Sequence, residues 1–332
     1  MALMTLLVRS TVLGAALGLA AAGASAQPGP AELQAYPNKP IRWIFPFPPG
    51  GGGDSMSRVI AQKLTESWGQ QIVIDFRPGA AGNLGTEIAA RAAPDGYTVV
   101  LVSPNFATYP SLYRKPAYDP VKDFAPVTLV STAAFVLVVH PSVPATSVKE
   151  LVALAKAKPG ELNYASSGVG AGAHLSAELF KSVLGVNVVH VPYKGHTPAL
   201  VDLIGGQTDM MFSNAPSALP HIKAGKLRAL AVTTSKRWAL LPQLPTMAES
   251  GLPGFEVSQW SGLLAPAGTS QAIIDKLNGE VVRVLKLPDV HQSLVKLGFE
   301  PVGNTPQEFA AYIRAEIAKW AKVIRAGGIH VD

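Results

Sequence analysis

The chain has 332 residues, of which 48% are hydrophobic and 15% charged, with a formal net charge of +6 and no cysteine. Without cysteine there are no disulfides, thiolate metal sites, cysteine nucleophile or lipid-modified N-terminal cysteine. Lys and Arg are scattered through helices and turns and do not form the basic stripe that nucleic-acid binding needs, while a mild positive field favours anionic ligands.

Residues 1–26 read as a removable export signal. Arg9 gives the positive start, Thr11 to Gly23 a short apolar run, and Ala24-Ser25-Ala26 a small-x-small cleavage site before Gln27. The run is shorter than the ~20 apolar residues a bilayer-spanning helix needs. The expectation is therefore a cleaved, soluble periplasmic protein of about two domains, at roughly 150 residues each.

From Lys39 onward the chain repeats short apolar strand, turn and amphipathic helix. Ile41 to Pro46 is strand-like, Gly50 to Asp54 a turn, and Met56, Val59, Ile60, Leu64 and Trp68 recur at helical spacing. Strand Gln71 to Asp75, a Gly-rich turn, helix Leu84 to Ala93 and strand Tyr97 to Ser103 follow. A second series comprises strand Ala134 to His140, helix Ser147 to Lys158, strand Leu162 to Ser166, helix Ala173 to Leu184, strand Val186 to Tyr193, helix Pro198 to Gly205, and strands Asp209 to Ser213 and Leu227 to Thr233. Leu241 to Gly254 lacks periodicity and reads as a long surface connection. Strand Ser258 to Ala265 and helices Gln271 to Lys286 and Pro306 to Ala326 close the chain, the last with Phe309, Ile313, Ile317, Trp320 and Ile324 facing inward. Such alternation predicts two α/β layers with parallel-type sheets.

Ligands in such sheets bind at strand carboxyl ends, where helix N-termini offer unpaired N–H groups. Three turns stand out. In Phe45 to Asp54, four consecutive glycines, Gly50 to Gly53, allow close backbone approach behind Phe47, and Asp54 is placed to cap the following helix. The turn lacks P-loop and dinucleotide spacings, which argues against nucleotides. In Ala165 to His174, the hydroxyls of Ser166 and Ser167 and the amides of Gly168, Gly170 and Gly172 suffice to hold a carboxylate without an arginine. His174 there either reaches the ligand or packs beneath the turn. In Val191 to Pro198, Tyr193 and Lys194 precede a helix with Thr197 as predicted N-cap and Pro198 at its first position; Lys194 either meets an anion or is solvated.

Other strand-end candidates are Asn105, beyond the Tyr97 to Ser103 strand, and Asp209 and Asn214, flanking another; Asp209 either accepts a ligand donor or caps a turn. Gly79 to Thr86 opens a helix and presents amides or serves helix packing. His190 and His196 are six apart with no metal-ligand pair on a helix face, so no metal is assigned, nor any cofactor. The enzymatic alternative is a serine-dependent hydrolase or transferase using Ser166 or Ser167 with His174 or His196, although Gly-x-Ser-x-Gly is absent. A structural envelope protein is the third class.

The ordered motifs Tyr36-Pro37-x-Lys39-Pro40-Ile41, Pro46 to Gly51, Pro78-Gly79-Ala80-Ala81-Gly82-Asn83-Leu84-Gly85-Thr86, Ala93 to Thr98, Ser167-Gly168 through His174-Leu175, Val191 to Gly195, Leu244 to Gly251 and Trp260 to Gly268 span the chain beyond the export signal. Together they resemble the Bug-type receptors of tripartite tricarboxylate transporters. The resemblance implies a two-lobed type II periplasmic binding protein fold, each lobe a sheet flanked by helices and joined by two crossing strands. Lobe 1 would be residues 38–136 plus 258–332, and lobe 2 the inserted 137–257. It implies a small carboxylate held largely by backbone amides in the cleft, membrane transporter subunits as partners, a monomeric receptor and no catalysis. One departure is Gly52-Gly53 where many relatives carry a bulkier residue before Asp54, which implies a roomier or more polar pocket floor.

Overall fold

The computed structural model describes residues 35–330, and the expected export signal lies outside them. The first βα units are β1 (Ile41–Phe45), α1 (Gly52–Trp68), β2 (Ile72–Phe76), a 3-10 turn (Ala80–Gly82), α2 (Asn83–Ala90), β3 (Thr98–Val102) and α3 (Pro104–Leu112). β1 lies between β2 and β3 with all three parallel, so α1, the 3-10 turn and α3 begin at one sheet edge.

A 16-residue strand, β4 (Phe124–Val139), then leaves this half of the molecule. The second half holds α4 (Val148–Ala157), β5 (Asn163–Ser166), α5 (Gly172–Leu184), β6 (Val189–Pro192), α6 (His196–Ile204), β7 (Met210–Asn214), α7 (Ala215–Lys223) and β8 (Arg228–Val232). The chain returns as β9 (Ser258–Pro266), α8 (Gln271–Leu285), α9 (Pro288–Lys296), β10 (Glu300–Pro301) and α10 (Pro306–Ala326).

The sheet order is β2-β1-β3-β9-β4-β7-β5-β6, with β8 and β10 also on β4. β4 is antiparallel to β9 through Ala134↔Ser258, then pairs with β7 from Phe135↔Asn214 onward, so it changes partners between Ala134 and Phe135. β3 is antiparallel to β9, with Val102 opposite Gly262, and thus runs toward that crossing. β7 ends at it, and β5 and β6 run parallel to β7. The carboxyl ends of both parallel sets therefore face one another across the point where β4 changes halves.

Packing is continuous through the crossing. One apolar cluster runs from Phe106 and Phe124 through Phe135 and Leu137 to Tyr164, Phe180 and Phe212. α10 starts with a Thr305/Glu308 capping box and buries Phe309, Ile313, Trp320 and Ile324. Ile317, the fifth apolar residue of its predicted face, is half-buried. Its Glu316 accepts hydrogen bonds from the indoles of Trp260 (3.2 Å) and Trp320 (2.9 Å), which satisfies a carboxylate that is only 7% exposed.

Four expectations are corrected. Helices α3, α7 and α9 and the front of β4 lie outside the predicted elements; each of the three helices has proline at its first or second position, and Pro110 and Pro220 sit further inside two of them, so their periodicity is interrupted. Leu241 to Gly254 is not a surface connection throughout, because Leu241, Leu244, Met247 and Leu252 are buried and Thr246 bridges to Val232. Asp54 does not cap α1: Gly51 is the N-cap, and Asp54 lies in the first turn. Thr197 does not cap α6, which begins at His196 after Gly195.

Candidate functional site

On the first half, three helical segments begin where β1, β2 and β3 end. The β1–α1 turn is held by Asp54, whose carboxylate accepts the Gly50 N–H at 2.8 Å and pairs with Arg58 at 2.7 Å. Gly50 is thereby occupied and takes the left-handed φ of 92° that suits glycine. Gly51 is extended (φ −86°), and a Cβ on either residue would meet open space. A Cβ on Gly52 would lie 3.2 Å from the Phe299 ring, and one on Gly53 3.2 Å from Phe45, so these two glycines serve helix packing.

Among the described residues, the β2–α2 turn contains the most unusual backbone. Gly79, Ala80, Ala81 and Gly82 have φ values of 147°, 48°, 55° and 95°, including two adjacent alanines in the left-handed region. Such residues cost roughly 1–3 kcal/mol each and cluster at binding sites. Asn105 holds this turn, donating from Nδ2 to the Ala81 carbonyl at 2.7 Å while its Oδ1 accepts the Ser103 hydroxyl. A Cβ on Gly82 would lie 3.1 Å from the Phe47 ring and 3.2 Å from Asn105, so Phe47, Gly82 and Asn105 form one packed floor. For the Gly79–Gly82 run the sequence leaves open whether it presents amides or packs a helix; its signal is two small non-glycine residues between glycines at a strand end.

On the opposing half, the Ser166–Gly172 loop leads from β5 into α5. Ser166 is fully buried: its hydroxyl lies 2.6 Å from His190 Nε2 and accepts the Gly168 N–H at 3.2 Å. The Gly170 N–H donates to His174 Nδ1 at 3.0 Å, and His174 is only 4% exposed, so it packs beneath the loop instead of lining the cleft. Among the described residues, the amides of Ser167 and Val169 have no hydrogen-bond partner. Tyr193 is half-buried, its amide tied to the Ser166 carbonyl (3.0 Å) and its hydroxyl to Asp202 (2.8 Å); Lys194 is exposed. Asn214 ends β7 and precedes α7, with no side-chain capping bond.

Asp209 is elsewhere. It precedes β7, at the far edge from Asn214, where its carboxylate accepts the Asn163 N–H at 2.8 Å and ties the starts of β5 and β7. It is structural, since a ligand at the carboxyl ends of these strands lies a strand length away.

The two halves touch beside these turns, because a Cβ on Gly170 would lie 2.3 Å from Leu112 Cδ1 at the end of α3. Six helical segments thus point their N-termini at one cleft, each offering orphan N–H groups and up to about half a positive charge. This arrangement supplies donors suited to an anion, and among the described residues no Lys or Arg is buried.

His174, His190 and His196 are all lowered to about 4 from the ordinary 6.5, burial being the first cause in each. Because the folded values lie below the unfolded ones, the unfolded chain binds more protons between these limits. The contribution to stability is full above about 6.5 and is lost as pH falls through about 4. The melting temperature at fixed ionic strength should fall between about pH 6.5 and about pH 4; a flat profile down to about pH 5 contradicts buried neutral imidazoles.

A two-lobed α/β fold with opposed amide-rich turns at its crossing defines a solute-binding receptor. The profile of the tripartite tricarboxylate transporter family receptor (TctC) matches residues 56–329. Protein BugT of Bordetella pertussis is 40% identical over 312 residues, 93% of this chain and 95% of that protein. An adipate-bound structure from R. palustris superposes with a TM-score of 0.82 at 40% identity, covering 89% of this chain and 100% of that one. MatC from Rhodopseudomonas palustris with bound malate gives 0.78 at 34%, covering 87% and 100%. The chain belongs to the TctC, or Bug-type, receptor family, whose members bind solutes and are not enzymes. The serine-hydrolase alternative is thereby set aside, and Ser166 pairs with His190, not with His174 or His196.

Proposed function

We propose that this chain is the periplasmic receptor of a tripartite tricarboxylate-type transport system and captures a small organic dicarboxylate in the cleft between its halves. The observation that carries this reading is that, among the described residues, the amides of Ser167 and Val169 on one side and of Ala80 and Ala81 on the other have no hydrogen-bond partner, and no Lys or Arg is buried. Relatives whose structures hold adipate and malate support a dicarboxylate. In this reading, lobe 1 is 38–136 plus 258–332 and lobe 2 is 137–257. The lobes close on the ligand because a carboxylate bridging both favours the closed state. The export signal is cleaved near Ala26/Gln27, and the released monomer delivers its cargo to membrane subunits. Among the described residues no helix is long and apolar enough to cross a membrane, consistent with release.

Native mass spectrometry of protein taken from the periplasm, followed by calorimetric titration with adipate and malate, tests this. One dicarboxylate bound per chain is expected. Ser167→Ala should weaken it by only about 1–2 kcal/mol, one hydrogen bond's worth, because the backbone carries most of the grip. Failure of every dicarboxylate, together with saturable binding of a cationic or neutral solute, overturns the reading.

A further inference from the structure

We propose that His174 and His190 are positioning residues for the Ser166–Gly172 loop, gripping it from beneath as a stacked pair of neutral imidazoles, and that the grip on Gly170 lets go when His174 is protonated. The binding consequence rests on reading this loop as half of the carboxylate site; the grip itself stands on geometry. Tyr164, His190 and His174 form a ladder of rings, with centroids 4.7 Å apart at 13° for the first pair and 4.2 Å apart at 22° for the second. Each imidazole holds a different part of the loop. His190 Nε2 lies 2.6 Å from Ser166 Oγ, which receives the Gly168 N–H, and His174 Nδ1 receives the Gly170 N–H.

The second of these contacts fixes a tautomer. A nitrogen that accepts an N–H carries no proton, so neutral His174 keeps its hydrogen on Nε2. A second proton on Nδ1 would face the Gly170 N–H donor to donor, and the loop must then move. A charge on either ring also meets the other ring stacked against it. Burial is the first cause holding both groups at about 4, with the neighbouring His174 adding to the effect on His190.

The surrounding charges do not cancel this. From α5 itself come Glu178, whose Oε1 is 4.0 Å from His174 Nε2, and Lys181, which neutralises Glu178 at 2.7 Å. From β5, the Tyr164 hydroxyl donates to the same Glu178 oxygen at 2.6 Å. β7 presents no titratable side chain, and on α10 Glu316 and Lys319 pair with each other at 3.2 Å, Glu316 also accepting the two indoles. Glu178 is thus engaged by a cation and a hydroxyl, and its hold on an imidazolium is weakened accordingly.

The test uses the unliganded chain, released from its export signal and labelled for NMR. The ring signals of His174 and His190 and the amide signals of Gly168 and Gly170 are followed through acid titration. Both rings should titrate near pH 4, with the Gly170 amide shifting on the His174 curve. In His174→Gln, which keeps an acceptor but no proton site, the acid-dependent shift of Gly170 should disappear. In a second arm, adipate affinity of the wild type should fall relative to His174→Gln by about twofold at pH 4, where half the loop is released, and about fourfold half a unit lower. Comparing the two proteins at one pH removes the protonation of adipate itself. A Gly170 amide that ignores the His174 titration, or rings that titrate near the ordinary value, overturns the proposal. Adipate failing to bind either protein at neutral pH counts against the dicarboxylate reading alone, because the ring and amide titrations need no ligand.

Discussion

Gly170→Val should all but abolish dicarboxylate binding while leaving a folded chain. Gly170 has φ +78°, and a Cβ there would lie 2.3 Å from Leu112 Cδ1. A β-branched residue therefore meets two obstacles. The left-handed conformation costs roughly 1–2 kcal/mol for a residue with a Cβ, and overpacking against a buried leucine adds about 1–3 kcal/mol. Loop and α3 belong to opposite halves, so the simplest relief is to move the loop out and part the halves beside it. Relief by loop movement turns the penalty into lost affinity, about 30-fold at the low end and several thousandfold at the high end. Two companions separate the causes. Gly185→Val, at φ +63° with open space around it, imposes the backbone penalty without the clash and should bind nearly normally. Adding Leu112→Ala to Gly170→Val removes the clash but not the strain and should restore part of the affinity. Calorimetry with adipate, with circular dichroism to verify folding, decides it; a Gly170→Val protein binding within about threefold of wild type refutes the loop's role.

Much of this site was readable from residue order because its logic is local. A strand followed by glycines and a helix places amides at a strand end whatever the rest of the chain does, and the turns at Gly50–Gly53 and Ser166–Gly172 followed directly. What could not be read was which groups were already spoken for. The Gly50 amide is taken by Asp54 and the Gly170 amide by His174, and both depend on a side chain returning to its own turn at a spacing that many turns share. Asp209 looked equivalent to Asn214 because both flank one strand. They lie at opposite ends of β7, and only its antiparallel pairing to β4 shows that the Asn214 end is the one at the crossing. The front half of β4 was invisible for a related reason. Its pairing with β9 joins residues more than a hundred positions apart, and its near-continuous burial removes the alternation that marks a half-exposed strand. The alanines at 80 and 81 carry no polar signal at all, and their left-handed backbone appears only in three dimensions.

Thr233→Val should destabilise the protein by about 2–6 kcal/mol and change how far the halves close, though the side chains have nearly the same shape. Thr233 is fully buried at the crossing, immediately after β8 and beside the residues where β4 changes partners. Its backbone is fixed on both sides, with its N–H to the Phe135 carbonyl at 2.9 Å and the Val257 N–H to its own carbonyl at 3.0 Å. The hydroxyl adds a second layer, donating to the Val257 carbonyl at 2.5 Å and accepting the Phe135 N–H at 3.1 Å. One side chain thus joins the outgoing strand to the returning chain. Valine keeps the packing but withdraws the partner of a buried donor and a buried acceptor, each worth about 1–3 kcal/mol when left unmade. Because both lost bonds lie where motion between the halves must pivot, the damage should fall on closure as well as on unfolding. Urea unfolding should show a lower midpoint for Thr233→Val, while Thr233→Ser, which keeps the oxygen, stays within about 1 kcal/mol of wild type. Small-angle scattering should show wild-type protein compacting when saturated with adipate, and Thr233→Val compacting less at equal occupancy. If valine unfolds no more readily than serine and compacts equally, the hydroxyl is not what ties the two passages together, and the pivot must be sought in the paired backbone of β4 and β9.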